Sequence, residues 1–242
     1  MNLIKLDAID STNDFLKELS NRDVLENFTV VTAENQTNGK GQMGSVWASE
    51  QGKNLTMSIL VKTFLLNTSQ IYNLTIVVSL SVIKVLEGFN IPKLSIKWPN
   101  DIMSDHKKIG GVLIENTIKS DGTIISIVGL GLNVNQTNFE SLPKASSLAL
   151  ICNSSFDKEE ILFEIMHELK SNIQNWDRKS AVFITNYTSK LFKKGIPMPF
   201  LDQNNNKFMG IIQGISPVGK LQILLEDDIE SEFDIKEIQM LY

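Results

Sequence analysis

Two runs in the middle of the chain constrain its fold most: residues 95–101, Ser-Ile-Lys-Trp-Pro-Asn-Asp, and residues 107–115, Lys-Lys-Ile-Gly-Gly-Val-Leu-Ile-Glu. In the first run apolar and polar residues alternate, which is the period of a β-strand with one buried face. Pro99 ends that strand because proline has no N–H to donate. The second run starts with two lysines, and its two glycines leave the backbone open to close approach before an apolar strand. We therefore predict two strands that bring lysines, a carboxylate and bare backbone together, which is the chemistry of an anion site.

Composition and charge indicate an ordinary globular protein and narrow its partners. The 242 residues are 42% hydrophobic and 21% charged, which is enough for one core and a small additional unit. The net charge is −5, from 28 acidic and 23 basic residues. This balance argues against a broad phosphate-binding surface, so we expect no nucleic-acid partner.

Cysteine usage and the N-terminal residues favour a cytoplasmic protein. The single cysteine, Cys152, cannot form an internal disulfide, and the first residues lack the basic and apolar regions of a secretory signal. The most apolar stretch, Leu74 to Leu86, falls short of the roughly 20 apolar residues that span a bilayer. We expect no membrane segment.

Hydrophobic periodicity predicts an α+β fold, with consecutive strands in an antiparallel or mixed sheet and helices on one face. The polar loop 34–54 is longer than most connections, which favours a functional role. The predicted strands are Leu3–Leu6, Phe28–Ala33, Leu55–Val61, the two runs above and Ile124–Val134. The predicted helices follow Asn13 and span Ile71–Leu86 and residues 159 to about 194.

The sequence changes character after residue 194. Prolines and glycines separate short apolar runs there, such as Phe208–Ile212 and Leu221–Leu225, a pattern typical of a small β-barrel of about five strands. We therefore predict two units, residues 1–194 and residues 195–242, the second of which is short for independent stability.

Residues 39–44, Gly-Lys-Gly-Gln-Met-Gly, match the dinucleotide-binding pattern G-x-G-x-x-G. That interpretation fails because no amphipathic helix opens at the third glycine, so no helix N-terminus is available for a pyrophosphate. Two interpretations remain open. The segment is either a flexible surface loop or, given Lys40, Trp47 and Lys53, a loop that closes over a planar anion.

Several polar residues also have both a structural and a functional interpretation. Ser11, Thr12 and Asn13 precede an apolar helical pattern and indicate a helix cap, which does not exclude ligand contact. Gln36 is either a solvent-facing loop residue or, because its amide donates and accepts, a partner for a ureido or carboxamide group. Asn133 lies in an otherwise apolar strand and needs either a backbone partner or a ligand.

The side-chain inventory excludes some chemistries. Only His106, His167 and Cys152 are present, so a Cys/His zinc site and a histidine-based hydrolytic triad both lack their usual parts. A lone Lys97 in a strand is most simply an edge lysine with an exposed amine, but Asp101 and Lys108 lie nearby. A lysine-rich, nucleophile-poor inventory suits a reaction in which a substrate carboxylate attacks a nucleotide phosphate. Magnesium would then be held mainly by the phosphates, with Asp101 as the protein carboxylate.

Five motifs in series resemble those of biotin protein ligases. They are Ser11-Thr-Asn13, residues 36–47 (Gln-Thr-Asn-Gly-Lys-Gly-Gln-Met-Gly-Ser-Val-Trp), Lys97-Trp-Pro-Asn-Asp101, residues 108–115 (Lys-Ile-Gly-Gly-Val-Leu-Ile-Glu) and Gly129-Leu-Gly-Leu-Asn133. The resemblance implies a class II synthetase-like mixed β-sheet with helices, followed by a small C-terminal SH3-like β-barrel. It also implies ATP-dependent formation of biotinyl-5′-AMP and transfer of the biotinyl group to a lysine of a biotin carboxyl carrier protein, with ATP and biotin as substrates and Mg²⁺ as cofactor. The chain would be a monomer or a homodimer.

The resemblance also implies residue roles. Lys108 and Lys97 would be catalytic, with Lys108 holding the biotin carboxylate and the α-phosphate. The biotin-binding residues would be Ser11, Thr12, Asn13, Gln36, Gly39, Lys40, Gly41, Lys108, Gly111, Gly129 and Gly131. The ATP-binding residues would be Gln42, Trp47, Asn100, Asp101, Lys108 and Asn133, with Asp101 also as the metal ligand.

The glycine-rich loop departs from the family pattern. It commonly reads Gly-Arg-Gly-Arg, whereas here Lys40 keeps a charge without the bidentate fork and Gln42 carries none. We therefore expect faster leakage of the adenylate, or compensation by Lys53. The sequence also shows no N-terminal helix-turn-helix, so we do not expect DNA repression.

Two other functions remain open from the sequence. A lipoate or octanoate ligase would share the lysine chemistry and take a different acyl chain. A non-catalytic biotin sensor would keep the pocket without turnover, although intact Lys97, Asp101 and Lys108 argue against that reading.

Overall fold

The computed structural model describes residues 2–65 and 67–242 and contains two sheets. The larger sheet has seven strands in the order β1-β2-β3-β7-β6-β5-β4. Its strands are β1 Leu3–Ile9, β2 Val30–Gln36, β3 Leu55–Lys62, β4 Leu94–Lys97, β5 Asp101–Ser104, β6 Lys107–Ile118 and β7 Ile124–Leu132. Only β1 and β2 run parallel; the other neighbouring pairs are antiparallel. The mixed α+β sheet is confirmed.

Helices cover both faces of this sheet. They are α1 Thr12–Arg22, α2 Ile71–Gly88, α3 Leu148–Cys152 and α4 Lys158–Ser189. Neighbouring strand residues point to opposite faces, and in β2 Val30 packs in the cluster of α2 and α4, whereas Val31 packs with Leu16 of α1. The expectation of helices on one face was therefore wrong, because the short amphipathic α1 gives no sequence signal for its side.

One helical stretch, Thr68–Gly88, is long and apolar enough to span a bilayer by length and composition. It is longer than the apolar stretch Leu74 to Leu86, which was too short for a span. In the structure 61% of that stretch is buried. Residues such as Leu74, Val77 and Leu86 are inaccessible to solvent and belong to the main hydrophobic cluster. This helix therefore forms the centre of the core.

The smaller sheet has five antiparallel strands in the order β11-β10-β9-β8-β12. This agrees with the about five strands that the short apolar runs after residue 194 predicted. The strands are β8 Pro197–Asp202, β9 Lys207–Ile215, β10 Leu221–Leu225, β11 Glu230–Phe233 and β12 Ile238–Met240. In the described part of the chain, no strand pairing joins β11 to β12, so a closed barrel is not confirmed. The boundary between residues 194 and 195 stays a prediction.

The two sheets share one hydrophobic core. Trp98, directly after β4, and Phe200, in β8, belong to the same buried cluster. The Trp98 indole Nε1 donates to the carbonyl oxygen of Gly219 at 2.9 Å. These contacts fix the small sheet beside the turn that joins β4 to β5.

The strand β5 was missing from the sequence prediction. Its four residues, Asp-Ile-Met-Ser, are too few to show a period. In the structure β5 lies between β4 and β6, with Asp101 opposite Lys97 on one side and opposite Gly111 on the other. This short strand places a carboxylate between the two lysine-bearing strands.

Candidate functional site

A cavity lies over one face of the large sheet, between the start of α1, strands β3, β6 and β7, and the glycine-rich loop. Its non-atom space is about 470 Å³, part of which is open solvent. The lining residues that the sequence analysis had selected are Ser11, Thr12, Asn13, Gln36, Lys40, Gly41, Gln42, Trp47, Asn100, Lys108, Gly111, Gly129 and Gly131. The sequence motifs are thus brought to one place.

The floor of the cavity depends on glycines. Gly111 of β6 and Gly131 of β7 are register partners. A Cβ on Gly131 would lie 2.4 Å from Cε2 of Trp47, and one on Gly129 would lie 2.5 Å from Oδ1 of Asn13, distances that real Cβ atoms do not adopt. Side chains at these positions would displace the indole and the amide that lie on the sheet.

Trp47 extends from the loop across this floor. Its Nε1 is buried and has no hydrogen-bond partner among the described residues. The ammonium of Lys108 lies 5.7 Å from the centre of a Trp47 ring, within cation–π range. Because an unpaired buried N–H is costly, this donor is suited to an acceptor on a ligand.

The polar wall is a hydrogen-bonded network at the start of α1. The Thr12 backbone N–H and hydroxyl both donate to Oε1 of Gln36, at 2.8 and 2.9 Å. The buried Ser58 hydroxyl lies 2.8 Å from Oγ1 of Thr12 and 2.6 Å from Oδ1 of Asn13. The Asn13 amide in turn donates to Glu115 at 2.8 Å. The network fixes the orientation of each of these groups.

Ser58 is part of this network and was missed by the sequence analysis. A signal was present, since Ser58 is a polar residue inside the buried, otherwise mainly apolar strand β3. The cavity has five further lining residues that were not selected: Thr56, Met57, Val112, Leu113 and Leu130. The apolar members follow from strand register, which no single motif records.

The centre of charge is a carboxylate held by two lysines. Oδ1 of Asp101 lies 2.6 Å from Nζ of Lys108, and Oδ2 lies 3.2 Å from Nζ of Lys97. The Asp101 side chain is only 13% exposed. Strand pairing sets this geometry. Asp101 is the register partner of Lys97 in the pairing of β4 with β5. In the pairing of β5 with β6, the register shifts after Ile102, so that the next residue pairs with Lys108. Asn100, next to Asp101, donates to the Val112 carbonyl at 2.6 Å.

The glycine-rich loop is folded back on itself and tied to α1. A β-bridge joins Lys40 to Val46, and the backbone N–H of Trp47 donates to the Gly39 carbonyl at 2.8 Å. The Lys40 ammonium lies 2.6 Å from Asp14, and this hydrogen bond raises the pKa of Lys40 above its usual value. After a short 3₁₀ turn at Gln42–Gly44, the next regular element is β3, consistent with rejection of the dinucleotide fingerprint.

Five residues of interest do not line the cavity. Lys97 and Asp101 lie behind Lys108, and Gly39 lies behind the indole, where a Cβ would meet the Trp47 carbonyl at 2.4 Å. Asn133 is buried and donates to the Ser146 carbonyl at 3.0 Å. Its amide therefore has the backbone partner that was one of the two alternatives for this residue. Lys53 is exposed, so its position gives no support to the expected compensation.

Comparison with known proteins now bears on this site. The model of the biotin/lipoate A/B protein ligase family matches residues 6–133, more than half of the chain. The chain belongs to this family. The matched segment contains every lining residue of the cavity, so the family's common core and the cavity coincide.

Relatives within the family are biotin ligases. The bifunctional ligase/repressor BirA of Bacillus spizizenii is 33% identical over 171 residues, which cover 68% of this chain and 51% of that protein. BirA of Escherichia coli is 27% identical over 92% of this chain and 68% of its own length. The chain thus spans about half the length of the Bacillus relative that it matches.

A solved structure matches over nearly the whole chain. The biotin protein ligase from Aquifex aeolicus in complex with biotin and ATP is 31% identical, with a TM-score of 0.81, and the match covers 99% of this chain and 98% of that one. A biotin protein ligase from Leishmania major, at 22% identity and a TM-score of 0.66, shares the fold.

Proposed function

We propose that this chain is an ATP-dependent biotin protein ligase, which activates biotin as biotinyl-5′-AMP and transfers the biotinyl group to a lysine of a biotin carboxyl carrier protein. The observation that carries the proposal is the Lys108–Asp101–Lys97 cluster beside a glycine-floored cavity. The Aquifex structure, which contains biotin and ATP, supports the same assignment through its fold and coverage.

In the first step, a carboxylate oxygen of biotin attacks the α-phosphorus of ATP. The new O–P bond forms, the bond from the α-phosphorus to the bridging oxygen breaks, and pyrophosphate leaves. No protein nucleophile is needed, so catalysis rests on alignment and on neutralising negative charge. Lys108 lines the cavity and supplies that charge. Asp101 orients Lys108 and Lys97.

Biotin recognition falls to the polar wall and the sheet floor. A ureido group donates and accepts hydrogen bonds, and the hydroxyl and amide groups of Thr12, Gln36 and Ser58 offer both functions. Leu113, on the same face of β6 as Gly111, supplies apolar surface for the rings and acyl chain of biotin, whereas the side chains of Met57 and Leu130 face the core on the other side of the sheet. The glycines Gly111, Gly129 and Gly131 allow the ligand to approach the backbone.

The nucleotide would lie toward Trp47, Gln42 and Asn100, which line the cavity next to Lys108. Among the described residues, no group of three or more His, Cys, Asp or Glu side chains converges. The donor set still fits magnesium bound as part of MgATP, because Mg²⁺ is commonly held by one carboxylate together with substrate phosphates. Asp101 would be that carboxylate, although it does not line the cavity and both of its oxygens contact lysines; the phosphates would therefore supply most of the ligands, and the ion would supply further charge neutralisation. Asn133, bonded to backbone, would support this region indirectly.

In the second step, the neutral ε-amine of the acceptor lysine attacks the acyl carbon of the adenylate. The C–N bond forms, the mixed anhydride C–O bond breaks, AMP leaves and the amine nitrogen loses a proton. The same lysines that neutralised the first transition state stabilise the departing phosphate.

Some finer assignments belong to the same proposal. The small five-stranded sheet would be SH3-like, the two units would meet between residues 194 and 195, and the protein would act in the cytoplasm as a monomer or homodimer. We expect no nucleic-acid partner.

The test is labelling of a purified biotin carboxyl carrier domain with biotin, ATP and magnesium, followed by mass spectrometry. We expect a mass increase of one biotinyl group at a single lysine. A carrier in which that lysine is replaced by arginine is the matched control and stays unlabelled. Labelling with lipoate and not with biotin would reassign the enzyme, and labelling with neither acid would contradict ligase activity.

A further inference from the structure

Glu115 is a charged residue on the cavity side of the large sheet that the proposed function does not use. It lies in β6, two residues after Leu113 and four after Gly111, so the three positions share one face. Its side chain is 28% exposed, with Oε1 3.7 Å from the Lys17 ammonium. Its Oε2 accepts a hydrogen bond from the Asn13 amide at 2.8 Å. Because an ionised carboxylate can only accept, Glu115 turns the NH₂ group of Asn13 toward itself and the Asn13 oxygen away.

The Asn13 oxygen is the first of four oxygen atoms in a row along the polar wall. It lies 2.6 Å from the Ser58 hydroxyl, and that hydroxyl lies 2.8 Å from the Thr12 hydroxyl. The Thr12 hydroxyl in turn lies 2.9 Å from Oε1 of Gln36. Oε1 of Gln36 also accepts the Thr12 backbone N–H at 2.8 Å, which keeps the Gln36 amide with its oxygen toward the row. Asn13, Ser58 and Thr12 are all buried.

This row of oxygens is one hydrogen short. Each of the three oxygen–oxygen contacts needs one shared hydrogen, and only the hydroxyls of Ser58 and Thr12 carry one. The two ends of the row are amide oxygens, which can only accept, as long as Glu115 keeps Asn13 in its orientation. One contact therefore joins two acceptors, and a buried pair of this kind is unfavourable. A ligand N–H that donates into the row removes the deficit.

We propose that Glu115 is a positioning residue that makes the polar wall select a ligand with N–H donors. It acts through Asn13: while the carboxylate holds the NH₂ group, the row keeps a surplus acceptor, and an N–H of the bound ureido group satisfies it. The inference rests on the proposed function, because it concerns the same biotin site. A charged side chain that does not line the cavity thus sets the hydrogen-bonding preference of the wall.

The experiment measures the binding of two acids to the unaltered protein and to Glu115→Gln by isothermal titration. The acids are biotin and its cyclic carbonate analogue, in which oxygen atoms replace both ureido N–H groups. The introduced amide can donate to the Asn13 oxygen, so Asn13 can turn round and give the missing hydrogen to Ser58. We expect the Kd for biotin to rise about tenfold, the effect of one hydrogen bond. The Kd for the carbonate should change less than about twofold, so the preference for biotin falls.

Two further readouts separate positioning from a merely structural role. The thermal unfolding midpoint of ligand-free Glu115→Gln should not fall, because every contact in the row then has its hydrogen. At saturating biotin and ATP, the rate of adenylation should stay within about twofold, since Lys108 is unchanged. Glu115→Ala leaves Asn13 free to turn round, so the preference for biotin over the carbonate should fall in this second variant as well.

Glu34→Gln is the matched control, because Glu34 is a glutamate of β2 that pairs with Lys158 at 2.7 Å and does not line the cavity. It should keep the preference of the unaltered protein. An equal rise of both Kd values in Glu115→Gln, with a lower unfolding midpoint, would overturn the proposal in favour of a structural role. An unchanged preference in both Glu115 variants would also overturn it. Failure of the unaltered protein to bind biotin at all would instead contradict the proposed function.

Discussion

Two lysine–carboxylate contacts of the same length, 2.6 Å, hold the two sides of the site, and their surroundings differ. Asp101 meets Lys108 within the ladder of the large sheet, with its side chain 13% exposed. Asp14 meets Lys40 between a helix and a loop, with its side chain 28% exposed. Exposed pairs contribute little because water screens them, whereas partly buried pairs depend on their partners. Contact distance alone therefore says little about function; burial separates a fixed charge centre from a releasable loop contact.

The largest effect is expected for Lys108→Gln, which removes the positive charge from the cavity and keeps a similar length. The rate of biotin-dependent adenylation should fall about 10³-fold, in the range for loss of a group that stabilises transition-state charge. Single-turnover formation of biotinyl-5′-AMP measures this rate. A fall of less than about tenfold, with the fold intact by circular dichroism, would show that another group neutralises the phosphate.

Asp101→Asn tests the buried side of the comparison. It removes the counter-ion between Lys108 and Lys97, so the two ammonium groups repel each other and lose their alignment. Adenylation should slow about 100-fold, because misplaced catalytic groups cost this much. The same single-turnover assay serves, with Asp14→Asn as the matched carboxylate-to-amide control. Equal falls in adenylation rate in the two variants would show that the Asp101–Lys108 and Asp14–Lys40 pairs do not differ in their contribution to adenylation.

Gly131→Ala tests the floor that lies between the two pairs. Its Cβ would fall 2.4 Å from the Trp47 ring, so the indole must move off the sheet. We expect biotin affinity to drop about tenfold, since overpacking costs of order 1–3 kcal/mol. Isothermal titration measures the Kd, and Gly88→Ala is the control because a Cβ there meets nothing within 4 Å. Wild-type affinity in Gly131→Ala would exclude Trp47 from the binding surface.

Asp14→Asn should have the smallest effect, because the pair it breaks is exposed. Release of biotinyl-5′-AMP in the absence of acceptor should accelerate about two- to fivefold, the range of one surface ion pair. The raised pKa of Lys40 keeps the pair charged at neutral pH, so the effect should persist there and weaken with salt. Gln42→Arg restores the charge that the loop lacks and should slow release. If neither variant differed from the unaltered protein, the charge of the loop would have no role in adenylate retention.

The sequence predicted which residues line the cavity better than how they are arranged. The strands that carry Lys97 and Lys108 show clear alternation or glycine patterning, so both were predicted. The carboxylate between them depends on β5, whose four residues carry no period, and on a bulge that no local pattern records. The same limit applies to Ser58, whose contact with Thr12 joins residues 46 positions apart.

The fold shows the same division. The core helix α2 and the long helix α4 have strong apolar periodicity, and both were predicted close to their observed bounds. The side of the sheet that α1 covers, and the open or closed state of the small sheet, depend on long-range packing. Burial likewise separates Asp101 from Asp14, since both are simply aspartates next to lysine-containing motifs in the sequence.

The most direct measurement is pyrophosphate–ATP exchange with magnesium, without acceptor protein, using biotin or lipoate as the acid. We expect exchange that depends on biotin and is lost in Lys108→Gln, because the partly buried lysine cluster carries the adenylation chemistry. Exchange that depends on lipoate would move the chain to the other branch of its family. Exchange with neither acid, in protein shown to be folded, would contradict adenylation at this site.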